Sequence, residues 1–336
     1  MKYKVFSINS QLYKVTGVEK VLMDIHHAIK DDYQAMIVGT IPYEKVNPNH
    51  HIAKEEYVQW KNPFLFHNSI VIVHERKLLM LFWLLNHLLF QKIKILYIHH
   101  NMLYGHRLMS KMPKHVVCIS DRGKENLKEY FHVPEKNIKK IHNCVVDIHP
   151  HIPHKEFNNT AIRIILPARI NDVKRQIDIY DHLKDRVDEK VTIDFVGTGP
   201  RYEELKETVG DSRQFHVLGY RNDIQKMLQE YDFMLLFSSN EGLPISLIEA
   251  TMCGTPIICN DVGGNCEIAV DGQNAFVINE WEELIKVINA LPQLSAERYK
   301  AMSMAGRKIY EERFSFELFK QNYLQLLKNI ADEKDS

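Results

Sequence analysis

The chain has 336 residues, of which 45% are hydrophobic and 26% are charged. This length predicts about two domains, each with its own hydrophobic core. Lysine plus arginine equals aspartate plus glutamate at 43 each. No global field therefore attracts nucleic acid, and we expect no nucleic-acid partner.

The five cysteines show no C-x-x-C spacing, which favours reduced thiols. The first residues enter a strand directly, without the long apolar segment of a signal peptide. The longest apolar run, residues 78–90, falls short of the roughly 20 residues that a membrane-spanning helix needs, and it predicts a buried helix. We therefore expect a cytoplasmic protein.

Short apolar runs alternate with helical patterns along the first 150 residues. Strands are predicted at residues 5–8, 35–38, 70–73, 93–98 and 116–119. After the first of them, apolar residues from Val18 to Ile29 recur at helical spacing and predict an amphipathic helix. This alternation predicts a parallel sheet with helices on both faces.

Residues 148–160 are rich in proline, histidine and asparagine and are typical of an interdomain linker. The histidines His149, His151 and His154 raise the alternative of a metal cluster. No acidic residue or cysteine lies at ligand spacing from them, so we favour a solvated linker and predict no metal site.

The alternation resumes with strands predicted at residues 162–166, 191–196, 215–218, 233–237 and 256–259, and two long helices, 296–313 and 316–330, close the chain. The predicted fold class is α/β. We expect two facing, doubly wound, Rossmann-like halves with the ligand in the interdomain cleft at the carboxyl ends of the strands.

The stretch 238–254 carries the strongest functional signal. A buried strand is broken by Gly242 and Pro244, and a short helix is predicted from about Pro244 to Gly254. Such a strand–turn–helix directs unpaired backbone N–H groups at one spot and attracts phosphate. Glu241 and Glu249 flank this spot and suit the hydroxyl groups of a ribose and a sugar. The stretch therefore predicts a site for a nucleotide-diphosphate sugar.

A purely structural interpretation also fits this stretch. Ser246 and Glu249 have capping-box spacing, and Glu241 suits a solvated loop.

Arg169 and Lys174 follow a predicted strand end, where an arginine and a lysine five residues apart suit a diphosphate. Ordinary surface charge is the alternative for this pair.

Four motifs occur in order: Arg169-Ile-Asn-Asp-Val-Lys174, Val196-Gly-Thr-Gly-Pro200, Glu241-Gly-Leu-Pro-Ile-Ser-Leu-Ile-Glu249 and Asp261-Val-Gly-Gly264. Together they resemble the signature of the family-four retaining glycosyltransferases of GT-B fold (glycosyl transferases group 1). Thr16-Gly17-Val-Glu19-Lys20 resembles the Gly-Gly-x-Glu-Arg loop of that family, and the resemblance extends over nearly the whole chain.

The resemblance implies a role for each matching residue. Arg169 and Lys174 hold the donor diphosphate and stabilise the charge of the leaving group. Glu249 binds the ribose, while Glu241 contacts the transferred sugar. The remaining implied contacts with the donor come from Gly17, Gly242, Leu243, Pro244 and His99, with His100 as the adjacent alternative to His99.

The family also implies an activity: transfer of a sugar, with retention and without a metal or other cofactor, from a UDP- or GDP-sugar. The acceptor is a glycan or a lipid-linked molecule in polysaccharide or glycoconjugate synthesis. The implied domains are residues 1–150 for the acceptor, 151–314 for the donor, and 315–336 as a helix that packs back on the first domain.

Three positions depart from the family pattern: Thr16 and Ala168 each replace a glycine, and Cys144 replaces the glycine after Asn143. Two alternatives stay open, a nucleotide-sugar 2-epimerase of the same fold and a non-catalytic partner subunit. A third question concerns the membrane.

The cations Arg107, Lys111 and Lys114 follow the apolar run 78–90. They suit either peripheral contact with the inner, cytoplasmic face of the membrane or ordinary surface charge.

Overall fold

The structure, a computed structural model, describes residues 3–107, 110–148 and 156–333. The chain forms two compact units: residues 1–144 with 316–336, and residues 145–315. The predicted domain boundary at residue 150 and the three linker histidines, His149, His151 and His154, lie outside the described residues.

The first unit is built on a parallel sheet of seven strands, whose spatial order is β3-β2-β1-β4-β5-β6-β7. The strands are β1 (Lys4–Ile8), β2 (Gln34–Gly39), β3 (Tyr57–Gln59), β4 (Ile70–Val73), β5 (Lys94–His99), β6 (His115–Cys118) and β7 (Ile138–Lys140). Three helices lie between these strands: α1 (Gly17–Ile29), α2 (Leu79–Leu89) and α3 (Asp121–Glu125).

The second unit is built on a parallel sheet of six strands in the order β10-β9-β8-β11-β12-β13. The strands are β8 (Ile162–Pro167), β9 (Val191–Val196), β10 (Phe215–Gly219), β11 (Phe233–Leu236), β12 (Ile257–Cys259) and β13 (Ala275–Val277). The helices are α4 (Gln176–Leu183), α5 (Tyr202–Val209), α6 (Ile224–Glu230), α7 (Ile245–Cys253), α8 (Asn265–Ile268), α9 (Trp281–Ala290) and α10 (Ala296–Arg313). A last helix, α11 (Phe316–Asp332), follows them in the chain and belongs to the first unit.

The central strands form because their residues are apolar on both faces, as a parallel sheet covered by helices requires. All four residues of β4 and all four of β11 are buried. Each sheet runs outward in both directions from a central pair of strands, β1 with β4 and β8 with β11. Loops that leave the carboxyl ends of such a pair diverge, and the crevice between them is where ligands bind in doubly wound sheets.

Helix α2 corrects the expectation of a buried helix at residues 78–90. Only Leu79, Phe82 and Leu85 are buried, whereas the side chains of Leu88 and Phe90 are 68% and 79% exposed. Apolar composition alone does not show whether every face of a helix is buried or whether one apolar face is exposed to solvent. No helix of the described residues is long and apolar enough to cross a membrane.

The end of helix α11 is anchored on the first sheet by Lys94, the first residue of β5. Its ammonium nitrogen donates to the carbonyl oxygens of Ile330 and Ala331, each at 3.0 Å, and of Glu333 at 2.7 Å. These carbonyls lie at the negative end of the helix dipole, so one lysine satisfies three acceptors and complements the dipole. Helix α11 also packs against α1.

We expect Lys94→Ala to loosen α11, because a hydrogen bond that involves a charged group makes a net contribution of about 1.5–3 kcal/mol. Native-state hydrogen exchange of the α11 amides should show a local opening free energy lower by about 1–3 kcal/mol. The matched control is Lys114→Ala, which removes an exposed ion pair to Glu333 at 2.9 Å and should cost less than about 1 kcal/mol. Equal effects in the two variants would contradict the capping role.

Candidate functional site

The motif residues of the second unit lie at the carboxyl ends of β8 and β11. Arg169 and Lys174 are on the loop after β8, and Glu241 is on the loop after β11. These strands are direct neighbours, with Phe233 paired to Ile164. The structure therefore brings together, at the switch point of the sheet, residues that are about 70 positions apart in sequence.

The two loops are joined by an ion pair and a backbone hydrogen bond. The Lys174 ammonium contacts the Glu241 carboxylate, and their side chains are only 20% and 8% exposed. Ser239 N donates to Val173 O at 2.8 Å. A half-buried ammonium beside a buried carboxylate is held in one place, and the pair presents a cation and an acceptor at the same spot.

Arg169 differs from Lys174 in that its side chain is exposed and forms no ion pair with any residue that the structure describes. Its backbone is held in place by a hydrogen bond, which the buried side chain of Gln176 donates to Arg169 O at 3.1 Å. Asn171 Oδ1 accepts from Lys174 N at 3.0 Å and holds the other end of the loop. Sequence reasoning missed Gln176 and Asn171, although their place beside Lys174 was a signal.

The Gly197-Thr-Gly199 motif supports the Arg169 loop sterically. A Cβ atom on Gly197 would lie 2.2 Å from Ala168 O, and one on Gly199 would lie 2.1 Å from Ile170 O. Gly197 also has a φ of +139°, a conformation that favours glycine. The two loops thus meet backbone to backbone, with Ile170 N donating to Thr198 O at 3.1 Å.

A second pair of glycines supports the Glu241 turn. Gly263 has a φ of +59°, and a Cβ there would lie 2.1 Å from Glu241 O. Gly264 N donates to Gly242 O at 2.7 Å. Beneath the same loop, the buried Asn260 side chain accepts from Ser238 N at 3.1 Å and donates to Ser238 O at 2.7 Å. Asn260 was not predicted, although it directly follows β12 and precedes the Asp261–Gly264 motif.

Helix α7 begins at Ile245, as predicted, and ends at Gly254, whose φ is +68°. Pro244 is at the N-cap, and no side chain caps the helix. The capping box that Ser246 and Glu249 suggested therefore does not form, because Ser246 lies inside the first turn. The N-terminus is left with backbone N–H groups that can donate hydrogen bonds to an anion. Glu249 is half-buried on this helix, and Leu243 and Pro244 are buried.

In the first unit, Gly17 is exposed and begins α1, with Thr16 as the N-cap. The Thr16 hydroxyl accepts from Val18 N at 3.3 Å and contacts the Glu19 carboxylate. Glu19 is buried and accepts from the Asn9 side chain at 3.1 Å. The threonine at this position, where the family has a glycine, thus has a capping role.

His99 and His100 point to different partners. The His99 ring is fully buried, with Nε2 at 3.0 Å from Asn126 Oδ1 and Nδ1 at 3.4 Å from the Tyr97 hydroxyl. His100 Nε2 lies 3.1 Å from His74 Nδ1, and the two rings stack at 5.3 Å. Burial lowers the pKa of His99 to about 4 and that of His100 to about 3. Both rings are therefore neutral near pH 7.

His74 and the residue after it, Glu75, are further polar groups at the switch point of the first sheet that sequence reasoning missed. They follow β4, the neighbour of β1. Glu75 accepts from the Ser10 hydroxyl and the Gln11 side chain, each at 2.9 Å, and from Lys77 at 3.0 Å. Burial opposes ionisation, but these hydrogen bonds together lower the pKa of Glu75 below its usual value. The signal was a histidine and a carboxylate directly after an apolar strand.

Comparison with known proteins places these features in a family. Residues 148–309 match the family described as glycosyl transferases group 1. The O-antigen biosynthesis glycosyltransferase WbnH of Escherichia coli is 26% identical over 206 residues, which cover 61% of this chain and 59% of that protein. An E. coli UDP-Gal:α-D-GlcNAc-diphosphoundecaprenol α-1,3-galactosyltransferase is 30% identical over 107 residues, or 31% of this chain and 27% of that protein. The chain thus matches less than two thirds of either relative.

The fold agrees over the full length with a solved structure of Anabaena HepE in complex with UDP, at a TM-score of 0.82 and 18% identity, covering 98% of this chain and 100% of that one. The two doubly wound sheets define a protein of GT-B fold, which confirms the predicted fold class. The four motifs all lie within residues 148–309, the part of the chain that matches the glycosyl transferases group 1 family.

The buried histidines predict acid sensitivity. A folded-state pKa of about 4 for His99, against about 6.5 in the unfolded chain, means that the unfolded state binds more protons between these values. Stability should fall as the pH drops through this range, by about 1.4 kcal/mol per pH unit for each such group.

We expect His99→Asn to flatten this dependence by about one proton, whereas the exposed His67→Asn should leave it unchanged. Urea unfolding followed by the fluorescence of Trp60 and Trp83, with Trp281 replaced by Phe, would report on the first unit. The same slope in both variants would contradict the assignment.

Proposed function

We propose that the chain is a retaining, metal-independent glycosyltransferase that moves a sugar from a UDP-sugar to a glycan or lipid-linked acceptor. One observation carries the proposal: Arg169, the Lys174–Glu241 pair and the uncapped start of α7 share the switch point of the second sheet. This site offers two cations and backbone donors for a diphosphate, with carboxylates beside them for sugar hydroxyls.

The relatives favour UDP over GDP as the nucleotide. HepE has been solved with UDP and with UDP-glucose, and the E. coli galactosyltransferase is named for a UDP-sugar donor and a diphosphoundecaprenol-linked acceptor. WbnH is named for O-antigen biosynthesis. We extend these donor and acceptor classes to this chain as part of the proposal.

In the proposed mechanism, Arg169 and Lys174 bind the diphosphate oxygens and stabilise the negative charge that develops as the bond between the anomeric carbon and the phosphate oxygen breaks. Because these two side chains supply the positive charge, no divalent cation is needed at the diphosphate. The acceptor hydroxyl oxygen bonds to the anomeric carbon on the same face. Its proton passes to the departing phosphate oxygen.

The carboxylates bind the hydroxyl groups of the donor. We assign Glu249 to the ribose and Glu241 to the transferred sugar, with Gly242, Leu243 and Pro244 contacting sugar and phosphate. Glu241 has a second task, since it holds the Lys174 ammonium in place before the donor arrives. The partial burial of both groups strengthens this interaction relative to water.

The first unit contributes Gly17 and one of the two histidines to the proposal. His99 uses both ring nitrogens internally, whereas His100 Nδ1 has no hydrogen-bond partner among the described residues. We therefore prefer His100, which the sequence left as the alternative, for contact with a substrate. Being neutral, its ring can donate or accept a hydrogen bond but supplies no charge.

The activity can be tested with a panel of UDP- and GDP-sugars and EDTA present. We expect release of UDP and transfer of sugar to a lipid-diphosphate-linked acceptor, with the anomeric configuration retained and no loss on chelation. An epimerised nucleotide sugar formed without acceptor would instead indicate a 2-epimerase. Absence of both activity and nucleotide binding across the panel would indicate a non-catalytic partner subunit.

Two substitutions separate binding from turnover. Lys174→Ala should lower kcat by about 10²–10³ with a smaller change in donor KM, because it acts on charge that develops in the transition state. Glu249→Ala should weaken UDP binding by about 10- to 100-fold, because charged hydrogen bonds to the ribose are lost. Isothermal titration and initial-rate kinetics would measure the two effects.

The exposed residues Glu203 and Lys206 on α5 provide matched controls. Their alanine variants should leave both kcat and UDP affinity unchanged. If Lys174→Ala and Glu249→Ala behaved like these controls, the proposed site would be wrong.

We further propose that the first unit contacts the cytoplasmic face of the membrane through the exposed end of α2. Leu88 and Phe90 are exposed there, and the Lys111 ammonium lies 5.3 Å from the centre of the Trp83 ring on the same helix. From residue 60 to 115 the sequence carries eight lysines and arginines and a single acid, Glu75, which is half-buried and hydrogen-bonded. Exposed apolar side chains in a stretch rich in lysine and arginine suit a surface of anionic lipid.

Sedimentation with vesicles tests this contact. We expect binding to phosphatidylglycerol vesicles but not to phosphatidylcholine, weakened by salt, since roughly 1 kcal/mol comes from each cation near the surface. Arg107→Glu with Lys111→Glu, or Leu88→Ser with Phe90→Ser, should abolish it. Lys206→Glu, a charge reversal in the second unit, is the control, and equal binding by all variants would contradict the proposal.

A further inference from the structure

Trp281, the first residue of α9, touches both loops of the donor site in the second unit. Its ring lies 4.5 Å from the guanidinium carbon of Arg175 and 4.7 Å from the ring centre of Phe237. Arg175 directly follows Lys174, and Phe237 directly follows β11, at the start of the loop that carries Glu241. One indole therefore contacts the residue next to Lys174 and the first residue of the loop that carries Glu241.

The backbone of Arg175 is in the left-handed region, with φ and ψ of +57° and +30°. A non-glycine residue is rarely found there and requires support from its surroundings. The support comes from its side chain, which lies over Trp281, is 5.6 Å from the Phe237 ring centre and pairs through Nε with Asp178 at 3.2 Å. The indole also stacks with the ring of His182, with ring centres 4.0 Å and planes 9° apart.

We propose that Trp281 and Arg175 are positioning residues for the Lys174–Glu241 pair, an inference that rests on the proposed function. The left-handed turn at Arg175 sets the direction in which the chain leaves Lys174 and enters α4. The stack on Trp281 holds that turn and also fixes Phe237, which sets the start of the Glu241 loop. Without the stack, the backbone at Arg175 relaxes toward negative φ, and the ammonium of Lys174 leaves its place.

Glycine rescue separates this role from ordinary packing. Arg175→Ala keeps the conformational strain and removes the stack, so kcat should fall about tenfold with less change in donor KM. Arg175→Gly adopts the left-handed conformation freely and should stay within about threefold of the wild type. Trp281→Leu should resemble Arg175→Ala, and Trp281→Phe, which keeps an aromatic face for the guanidinium, should be milder.

The control for these variants is Arg186→Ala. Arg186 is an exposed arginine that pairs at 2.7 Å with Glu282, the neighbour of Trp281, and its loss should change neither kcat nor KM. The positioning role would be overturned if Arg175→Ala and Trp281→Leu both had kcat and KM within twofold of the wild-type values while Lys174→Ala was impaired. The proposed function would then still stand. Equal losses in Arg175→Ala and Arg175→Gly would overturn the argument from backbone strain.

Hydrogen exchange decides the inference without activity. In Trp281→Leu, the amides of residues 171–175 and 238–241 should exchange at least about tenfold faster than in Arg186→Ala, and in Trp281→Phe the increase should be smaller. Exchange equal to that control in both variants would refute the positioning role. If instead the wild type transferred no sugar, or Lys174→Ala were fully active, the proposed function would be wrong. The exchange rates would still show whether Trp281 holds the two loops in place.

Discussion

The contact between Lys174 and Glu241 is the interaction on which the candidate site depends. It joins the loops after β8 and β11, which belong to neighbouring strands but to distant parts of the sequence. A cation this close to a buried carboxylate keeps its charge at one position without a ligand. The ligand then meets a prearranged field, and little has to be reorganised during the reaction.

The surroundings of the pair are arranged to keep these loops rigid. Glycines that tolerate no Cβ atom, Gly197 and Gly263, allow neighbouring backbones to meet under Arg169 and Glu241. Buried amides from Gln176 and Asn260 satisfy the loop carbonyls. Several residues in and beside the motifs therefore serve to hold the backbone of the two loops.

Much of the fold could be predicted from the sequence. The long apolar strands and the amphipathic helices are found close to their predicted positions, because their periodicity is strong. The missed strands are β3, β7 and β13, each of three residues at a sheet edge. So short a strand has no periodicity to detect, and it is defined by its neighbour in the sheet.

The site was predicted in part for a similar reason. Motif spacing identified Arg169, Lys174 and Glu241, but it could not show that the last two contact each other, since that contact arises from strand order. Nor could it separate His99 from His100, whose burial and partners depend on His74 and Asn126. The burial of α2 was predicted wrongly because sequence shows how apolar a helix is but not which of its faces meets a neighbour.

The return of α11 to the first unit has a consequence for biosynthesis. The ribosome makes α1 before residues 145–315, but α11, which packs on α1 and is anchored by Lys94, is made only after them. At about 5–20 residues per second, the roughly 300 residues between the end of α1 and the end of α11 take about 15–60 s to make, and the docking face of α1 stays uncovered for that time. Chaperone demand should therefore be greater for the first unit than for the second.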